Sequence, residues 1–146
     1  MRRADYHIQM GAEKMQTKRI HRWLNEHSYW AKGIPLETVE TSIRHSCCVG
    51  AFLKEEQIGF ARLVTDYATF AYLADVYVEE AHRGLGLSHA MLHELMEAPF
   101  VKGLRKILLS TLDAQTLYLK HGFQVLKNPE RVMEITRFHA YDSKSS

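Results

Sequence analysis

The alternation of hydrophobic and polar residues predicts a first strand, and a change to helical spacing predicts two helices after it. Residues 6–10 alternate and indicate an edge strand. Residues 17–27 place their large apolar side chains on one helical face. A loop over residues 28–33 interrupts this pattern, and Pro35 then suits the first turn of a second helix. The chain is therefore expected to begin as strand, helix, helix.

The middle of the chain returns to strand periodicity and then to a helix. Residues 47–54 and 58–65 flank a short polar turn and predict a hairpin. Residues 70–78 are rich in aromatic and β-branched side chains and predict a further strand of the same antiparallel meander. A helix is expected over residues 84–96, because its apolar residues have helical spacing and Pro99 cannot continue it.

The last part of the chain is expected to add a strand, a helix and two more strands. Residues 106–111 are apolar and predict a short strand buried on both faces. The other predictions are a helix over 113–120, strands over 123–126 and 132–138, and a disordered tail over 142–146. These elements predict a single α/β domain over residues 1–141.

Composition and charge narrow the classes of function. The chain has 146 residues, of which 46% are hydrophobic and 25% charged, and its formal net charge is +2. So small a charge does not indicate nucleic acid as a partner. No apolar run is long enough for a membrane span, and no secretory signal is recognisable. Cys47 and Cys48 are adjacent, so a disulfide between them is not expected. We predict a cytoplasmic protein that binds neither nucleic acid nor membrane.

A glycine-containing turn joins the predicted strand 70–78 to the helix after it. The turn is Arg83-Gly84-Leu85-Gly86-Leu87-Ser88. The first N–H groups of a helix have no intrahelical partner, and the helix dipole favours negative charge there. The turn therefore predicts a seat for a pyrophosphate. A dinucleotide-binding fingerprint is excluded because His89 stands where the third glycine is needed, and a P-loop because no Gly-Lys-Ser/Thr follows.

This strand, turn and helix resemble the central motif of the GCN5-related N-acetyltransferase (GNAT) superfamily, which binds the pyrophosphate of acetyl-coenzyme A. A second segment, Ala114-Gln115-Thr116-Leu117-Tyr118-Leu119-Lys120-His121-Gly122-Phe123, is similar to the family's Ala-x-x-x-Tyr-x-x-x-Gly-Phe. Thr111 stands where the family often has asparagine. Residues 28–31 and 65–70 look like an uncharacterised bacterial subgroup. The resemblance implies the GNAT fold, a mostly antiparallel central sheet flanked by about four helices.

By this resemblance the cofactor is acetyl-coenzyme A (acetyl-CoA). Its pantetheine arm would pair with the main chain at the end of strand 70–78, provided that the strand over 106–111 splays away. A backbone N–H there, expected at Val76, would donate to the thioester carbonyl. The expected cofactor-binding residues are Val76, Tyr77, Val78, Arg83, Gly84, Leu85, Gly86, Leu87 and Ser88.

Two side chains are the first candidates for handling protons. By resemblance Tyr118 assists the departing thiolate. Because a phenol pKa of about 10 exceeds a thiol pKa of about 8.5, full proton transfer is uphill, and a strong hydrogen bond to sulfur is the better description. Asp75 is the first candidate to accept the proton of the amine, and its alternative role is a buried carboxylate that braces a loop. The other candidates for that proton are Glu79, Asp66, His82 and bulk water.

Acceptor recognition is expected from the first helices, their loop and the hairpin ends. Aromatic rings with a carboxylate would suit a small cationic or aromatic amine. The expected substrate-binding residues are Tyr29, Trp30, Asp66 and Tyr67. His89 and His93 lie one helical turn apart, but no third ligand has a matching spacing, so no metal is expected.

The sequence thus predicts an acetyl-CoA-dependent N-acetyltransferase. A primary amine, of a small molecule or a protein, would attack the thioester directly in a ternary complex. The alternative is a non-catalytic acyl-CoA-binding regulatory module. Homodimerisation is left open.

Overall fold

A computed structural model describes residues 2–137 and 141 of the chain. Its centre is a five-stranded sheet in which the strands lie in chain order. The first four strands are antiparallel, and the last pair is parallel. The strands are β1 (Tyr6–Met10), β2 (Ser46–Leu53), β3 (Glu56–Thr65), β4 (Phe70–Val78) and β5 (Lys106–Leu109). The predicted edge strand, hairpin and central strand are confirmed.

Four α-helices flank the sheet in the described part of the chain, as expected. They are α1 (Thr17–Arg22), α2 (Leu36–Arg44), α3 (Leu87–Met96) and α4 (Gln115–Leu119). α1 continues into a π-helical turn, Trp23–His27, so the predicted helix over 17–27 has its full length. α2 begins directly after Pro35. Within the described residues, no helix is both long and apolar enough to cross a membrane.

The two faces of the sheet bury two separate hydrophobic clusters. Successive side chains of a strand point to opposite faces, so Val49 joins one cluster and Cys48 the other. α3 covers the first face with Met91 and Leu95, both fully buried. α1 and α2 cover the second face. Each large apolar side chain buried in this way stabilises the fold by about 1.5–3 kcal/mol.

The prediction of two strands at the end of the chain is wrong for the described residues. Residues 123–126 and 132–137 form no strand, and Phe138 lies outside the described residues, as does the predicted tail over 142–146. Met133 is 92% exposed and Ile135 84% exposed. Their sequence has the strand pattern, but a strand is stable only when it packs and pairs with a neighbour.

The predicted strand over 106–111 is also shorter and less buried than expected. β5 ends at Leu109, and its apolar residues are only half-buried. In the described part of the chain β5 pairs with β4 alone. Within the described residues its other edge carries no neighbouring strand, and its side chains are only partly covered, so the expected burial on both faces is wrong.

Candidate active site

The pairing of β4 with β5 stops part-way along β4, as the resemblance implies. They pair from Phe70, opposite Lys106, to Leu73, opposite Leu109. β4 then continues to Val78 without β5 beside it. A strand edge without a neighbour presents N–H and C=O groups that can pair with another extended chain. The open edge therefore covers residues 74–78, which include Val76 and Val78.

A β-bulge lies at the point where the two strands separate. On the β3 side, Phe60 pairs with Tyr77 and Arg62 with Ala74, so β4 carries one more residue than β3 between these pairs. Asp75, inside this interval, has φ +56°, a left-handed backbone conformation. Bulges bend a strand and increase its twist. The bend gives a local physical cause for the open edge.

A cavity of about 310 Å³ opens between the separated ends of β4 and β5. Its lining brings together predicted residues from distant parts of the chain, namely Tyr29, Trp30, Asp75, Val76 and Tyr118. Sequence reasoning assigned none of the other polar or charged lining residues to the site, namely Tyr72, Ser110, Thr111 and Asp113. The family's frequent asparagine at the position of Thr111 was a signal in the sequence for this wall of the cavity.

Tyr118 reaches the cavity from α4. Its ring packs edge-to-face against Phe123, with ring centroids 6.0 Å apart. Burial raises the pKa of Tyr118 above its ordinary value, and the nearby Tyr29 and Asp113 add to the rise. The phenol is therefore protonated throughout the neutral range and can donate a hydrogen bond into the cavity.

Asp75 is already held by two hydrogen-bond donors. Trp30 Nε1 donates to Oδ1 over 2.8 Å, and Arg62 Nε donates to Oδ2 over 2.7 Å. The carboxylate is largely buried, with a side chain 10% exposed, and that of Arg62 is 16% exposed. The structure thus contains the brace between strand and loop that the sequence offered as the alternative role of Asp75.

The other candidates for accepting a proton are occupied in separate contacts. Glu79 Oε2 accepts bonds from Trp23 Nε1 and Arg19 Nη2. His82 Nδ1 lies 2.7 Å from the hydroxyl of Tyr6. None of Glu79, His82 and Asp66 lines the cavity between β4 and β5.

Asp66 and Tyr67 lie in the turn between β3 and β4, and neither lines the cavity. The Asp66 carboxylate accepts bonds from the Thr69 hydroxyl and from backbone N–H groups of that turn, which hold the pKa of Asp66 well below its usual range. Tyr67 packs against Phe100, with ring centroids 4.7 Å apart. The part predicted for these two residues in acceptor binding stays a prediction.

The glycine turn, the candidate anion seat, is open and carries two left-handed glycines. Gly84 has φ +82° and Gly86 φ +76°, which L-residues rarely adopt. A Cβ built on either residue would meet no atom within 4 Å, so the turn faces open space. α3 begins at Leu87, and no side chain caps its first N–H groups. A depression of about 200 Å³ opens here. It is lined by Val78, His82, Arg83, Gly84, Gly86, Leu87, Ser88 and His89.

Two of the predicted cofactor-binding residues use their side chains within the protein. Arg83 Nε donates to the carbonyl of Val78 over 2.8 Å, and its guanidinium lies 5.4 Å from the Tyr77 ring centroid. The Tyr77 ring also stacks on Trp23. Tyr77 could therefore meet a cofactor only through its backbone, whereas exposed Arg83 still carries a positive charge beside the depression.

One of the two histidines of α3 pairs with a histidine that follows α4. His89 Nδ1 lies 2.9 Å from His121 Nε2, and the two rings stack. Across residues 2–137 and 141, no group of three or more histidine, cysteine or acidic side chains could hold a metal ion. Burial lowers the pKa of His121 below its ordinary value, and His89 and His93 lower it further.

Comparison with known proteins identifies the family. A model described as the acetyltransferase (GNAT) family matches residues 17–123, most of the chain and both of the motifs above. The chain belongs to the GNAT family. The five-stranded sheet and its flanking helices are the GNAT fold, and the resemblance seen in the sequence is confirmed.

The relatives of this GNAT chain are named as acetyltransferases. A Xanthomonas campestris GNAT-family structure has 42% identity and a TM-score of 0.87, covering 90% of this chain and 92% of that one. A Gibberella zeae protein named as an acetyltransferase is 30% identical over 141 residues, covering 82% of this chain and 78% of its own length. The Porphyra purpurea N-acetyltransferase ycf52, called uncharacterised, is 30% identical, over 70% of this chain and 61% of its own length.

Proposed function

We propose that this GNAT chain transfers an acetyl group from acetyl-CoA to a primary amine, which attacks the thioester directly while both are bound. The supporting observation is that the open edge of β4 runs from the cavity holding Tyr118 to the depression at the glycine turn. A linear donor with a charged end and a reactive end needs both sites joined by such an edge. The family assignment supports acyl transfer.

The residues of the glycine turn fit the pyrophosphate of the donor. Their backbone N–H groups lie at the start of a helix without a side-chain cap, where a negative charge is stabilised. Gly84 and Gly86 leave the space before them open. Arg83 would add positive charge, and Leu85, Leu87 and Ser88 would contribute their backbone amides.

The open edge of β4 would position the thioester. Main-chain groups of residues 76–78 can pair with the two amides of the pantetheine arm as a neighbouring strand would. We assign the N–H of Val76 to the thioester carbonyl, because Val76 lines the cavity. A lost oxyanion donor typically raises a barrier by about 3–4 kcal/mol. When bound, acetyl-CoA supplies the activated acetyl group.

Tyr118 would stabilise the sulfur that departs. Its phenol lines the cavity, and its raised pKa keeps it protonated and able to donate. Full transfer of its proton to a thiolate is uphill, so we assign a hydrogen bond rather than complete protonation. Assistance of this kind accelerates a reaction by up to about 10²–10⁴-fold.

The cavity suits a small amine with an apolar or aromatic part. The rings of Tyr29 and Trp30 stand edge-to-face, with centroids 4.9 Å apart, and line the same space as the carboxylates of Asp75 and Asp113. A neutral amine must form before it attacks, at a cost of about 4.6 kcal/mol for a lysine-like amine at pH 7. Water would accept that proton, because both carboxylate oxygens of Asp75 already accept hydrogen bonds from Trp30 and Arg62.

Calorimetry with acetyl-CoA, followed by thiol release across a panel of amines, tests the proposal. We expect binding of acetyl-CoA and amine-dependent thiol release. Absence of acetyl-CoA binding would contradict the whole assignment. Binding without thiol release for any small or peptide amine would favour the non-catalytic acyl-CoA-binding module.

A further inference from the structure

We propose that Asp75 is a positioning residue, which joins Arg62 and Trp30 in a clamp between the β4 bulge and the loop over residues 28–33, on the side where the amine would bind. This inference rests on the proposed function, because it assigns the clamp to the amine side of that site. Asp75 would thus act through Trp30 and the shape of the cavity. The clamp consists of Arg62, Asp75 and Trp30.

The backbone at Asp75 needs such support. Asp75 is a non-glycine residue with φ +56° inside a strand, where the bulge inserts one extra residue. Left-handed conformations are disfavoured for residues with a Cβ, and aspartate is among those that tolerate them best. Fixing both carboxylate oxygens therefore holds the residue in a conformation that the strand alone would not favour.

The clamp is anchored in the rigid part of the molecule on one side. Arg62 belongs to β3, and besides Asp75 its Nη1 donates to Ser46 Oγ over 3.0 Å. Ser46 Oγ in turn donates to the carbonyl of Ser42 over 2.7 Å. The guanidinium is thereby tied to the start of β2 and to α2, so Asp75 meets a donor of fixed position.

On its other side the clamp holds the loop that lines the cavity. Trp30 Nε1 is the donor through which the loop reaches β4. The loop is also closed locally, because Ser28 Oγ donates to the Leu24 carbonyl and accepts the N–H of Ala31. Trp30 and Tyr29 therefore have a fixed placement over the cavity.

The clamp and the anion seat are built from different residues. The glycine turn is braced by Arg83 on Val78, and the nearby Glu79 is held by Trp23 and Arg19. No residue is common to the two networks. Loosening the clamp should consequently weaken amine binding while leaving the affinity for acetyl-CoA almost unchanged.

The two tryptophans allow a test without any substrate. The indole N–H of Trp30 is bonded to Asp75 and that of Trp23 to Glu79. In the Asp75→Gly variant, whose glycine accepts the left-handed conformation, NMR should show faster solvent exchange of the Trp30 indole proton. The Trp23 proton should be unchanged. Equal exchange at Trp30 before and after the substitution, or equal loss at both indoles, would overturn the clamp.

Kinetics with an amine found in the panel then test whether the clamp serves amine binding. Trp30→Phe removes the N–H and keeps an aromatic ring, and we expect the KM for the amine to rise about tenfold, the usual effect of losing a hydrogen bond to a charged group. The dissociation constant of acetyl-CoA should stay within about twofold. Asp75→Gly should likewise raise the KM for the amine and leave the dissociation constant of acetyl-CoA almost unchanged. The double variant should have no higher KM for the amine than Asp75→Gly alone.

The pH profile separates this role from proton acceptance. A positioning residue leaves the shape of the profile of kcat/KM unchanged in Asp75→Gly. Loss of the acidic limb of that profile, with a Trp30→Phe enzyme as active as wild type, would overturn the proposal and make Asp75 the base. If no amine is acetylated, the indole exchange still decides whether the clamp exists, so the two failures are distinguishable.

Discussion

The two ends of the candidate site are built in different ways. At the anion seat, a turn of two left-handed glycines and the start of α3 present backbone groups to open space. At the cavity, side chains from the loop after α1, from β4 and from α4 converge. A site made of consecutive backbone groups therefore tolerates sequence change, whereas a site made of side chains from distant segments depends on each contact.

The largest expected effect comes from placing a negative charge in the anion seat. Gly86→Asp should weaken acetyl-CoA binding by at least about 100-fold, because the carboxylate competes for the N–H groups that would hold the pyrophosphate. Aspartate tolerates positive φ, so the fold should survive. Gly122→Asp is the matched control, because Gly122 also has a positive φ and open space before it but lies outside the seat. Equal affinity of both variants by calorimetry would contradict the seat.

A second effect should be confined to the cavity. Tyr118→Phe should lower kcat by about 10²-fold or more while the dissociation constant of acetyl-CoA is unchanged, because only the hydroxyl is lost. Tyr67→Phe removes a hydroxyl outside the cavity and is expected to keep wild-type kcat, since a part of Tyr67 in acceptor binding would change the KM for the amine instead. Thiol-release assays measure both. A fully active Tyr118→Phe enzyme would remove the assigned role of the phenol.

A smaller effect is expected at the edge of the anion seat. Arg83→Gln should weaken acetyl-CoA binding by only about fivefold, because the charge of an exposed side chain is screened by solvent. Arg83→Lys keeps the charge and should recover most of the affinity. If lysine is as weak as glutamine, the role of Arg83 lies in its bond to the Val78 carbonyl instead.

The smallest effect concerns the contact between the two ends of the site. His121 follows α4 and meets His89 in the first turns of α3. Because the pKa of His121 is lowered in the folded protein, the unfolded chain binds more protons once the pH falls below about 6.5. The free energy of unfolding should have its full value above that pH and should fall as the pH drops below it. His121→Asn should flatten this dependence in thermal melts between about pH 5 and pH 8, and an unchanged slope would speak against the contact.

The anion seat could be predicted from the sequence more fully than the cavity, because the seat is local in sequence and the cavity is not. The anion seat lies within six consecutive residues, Arg83–Ser88, and a local motif predicts local geometry. The cavity depends on the left-handed conformation of Asp75 and on Arg62 and Trp30, which are far apart in sequence. Hydrophobic periodicity carries no information about such contacts, so the alternative roles of Asp75 could not be resolved from it.

The fold shows a similar division. Strands and helices that bury an apolar face, such as β4 and α3, begin and end close to their predicted bounds. The strands predicted over 123–126 and 132–138 have the right alternation, but the described residues among them lack a pairing neighbour. The alternation of hydrophobic and polar residues therefore predicts which segments can form strands. A neighbouring strand to pair with decides which of those segments do form them.

Hydrogen–deuterium exchange with and without acetyl-CoA tests the central claim most directly, because it reports on backbone amides. If β4 and the glycine turn seat the donor, acetyl-CoA should slow exchange at the amides of residues 76–78 and 84–89. Amides of β1, on the far edge of the sheet, should be unaffected. Protection confined to other segments, or no protection at saturating acetyl-CoA, would contradict the account.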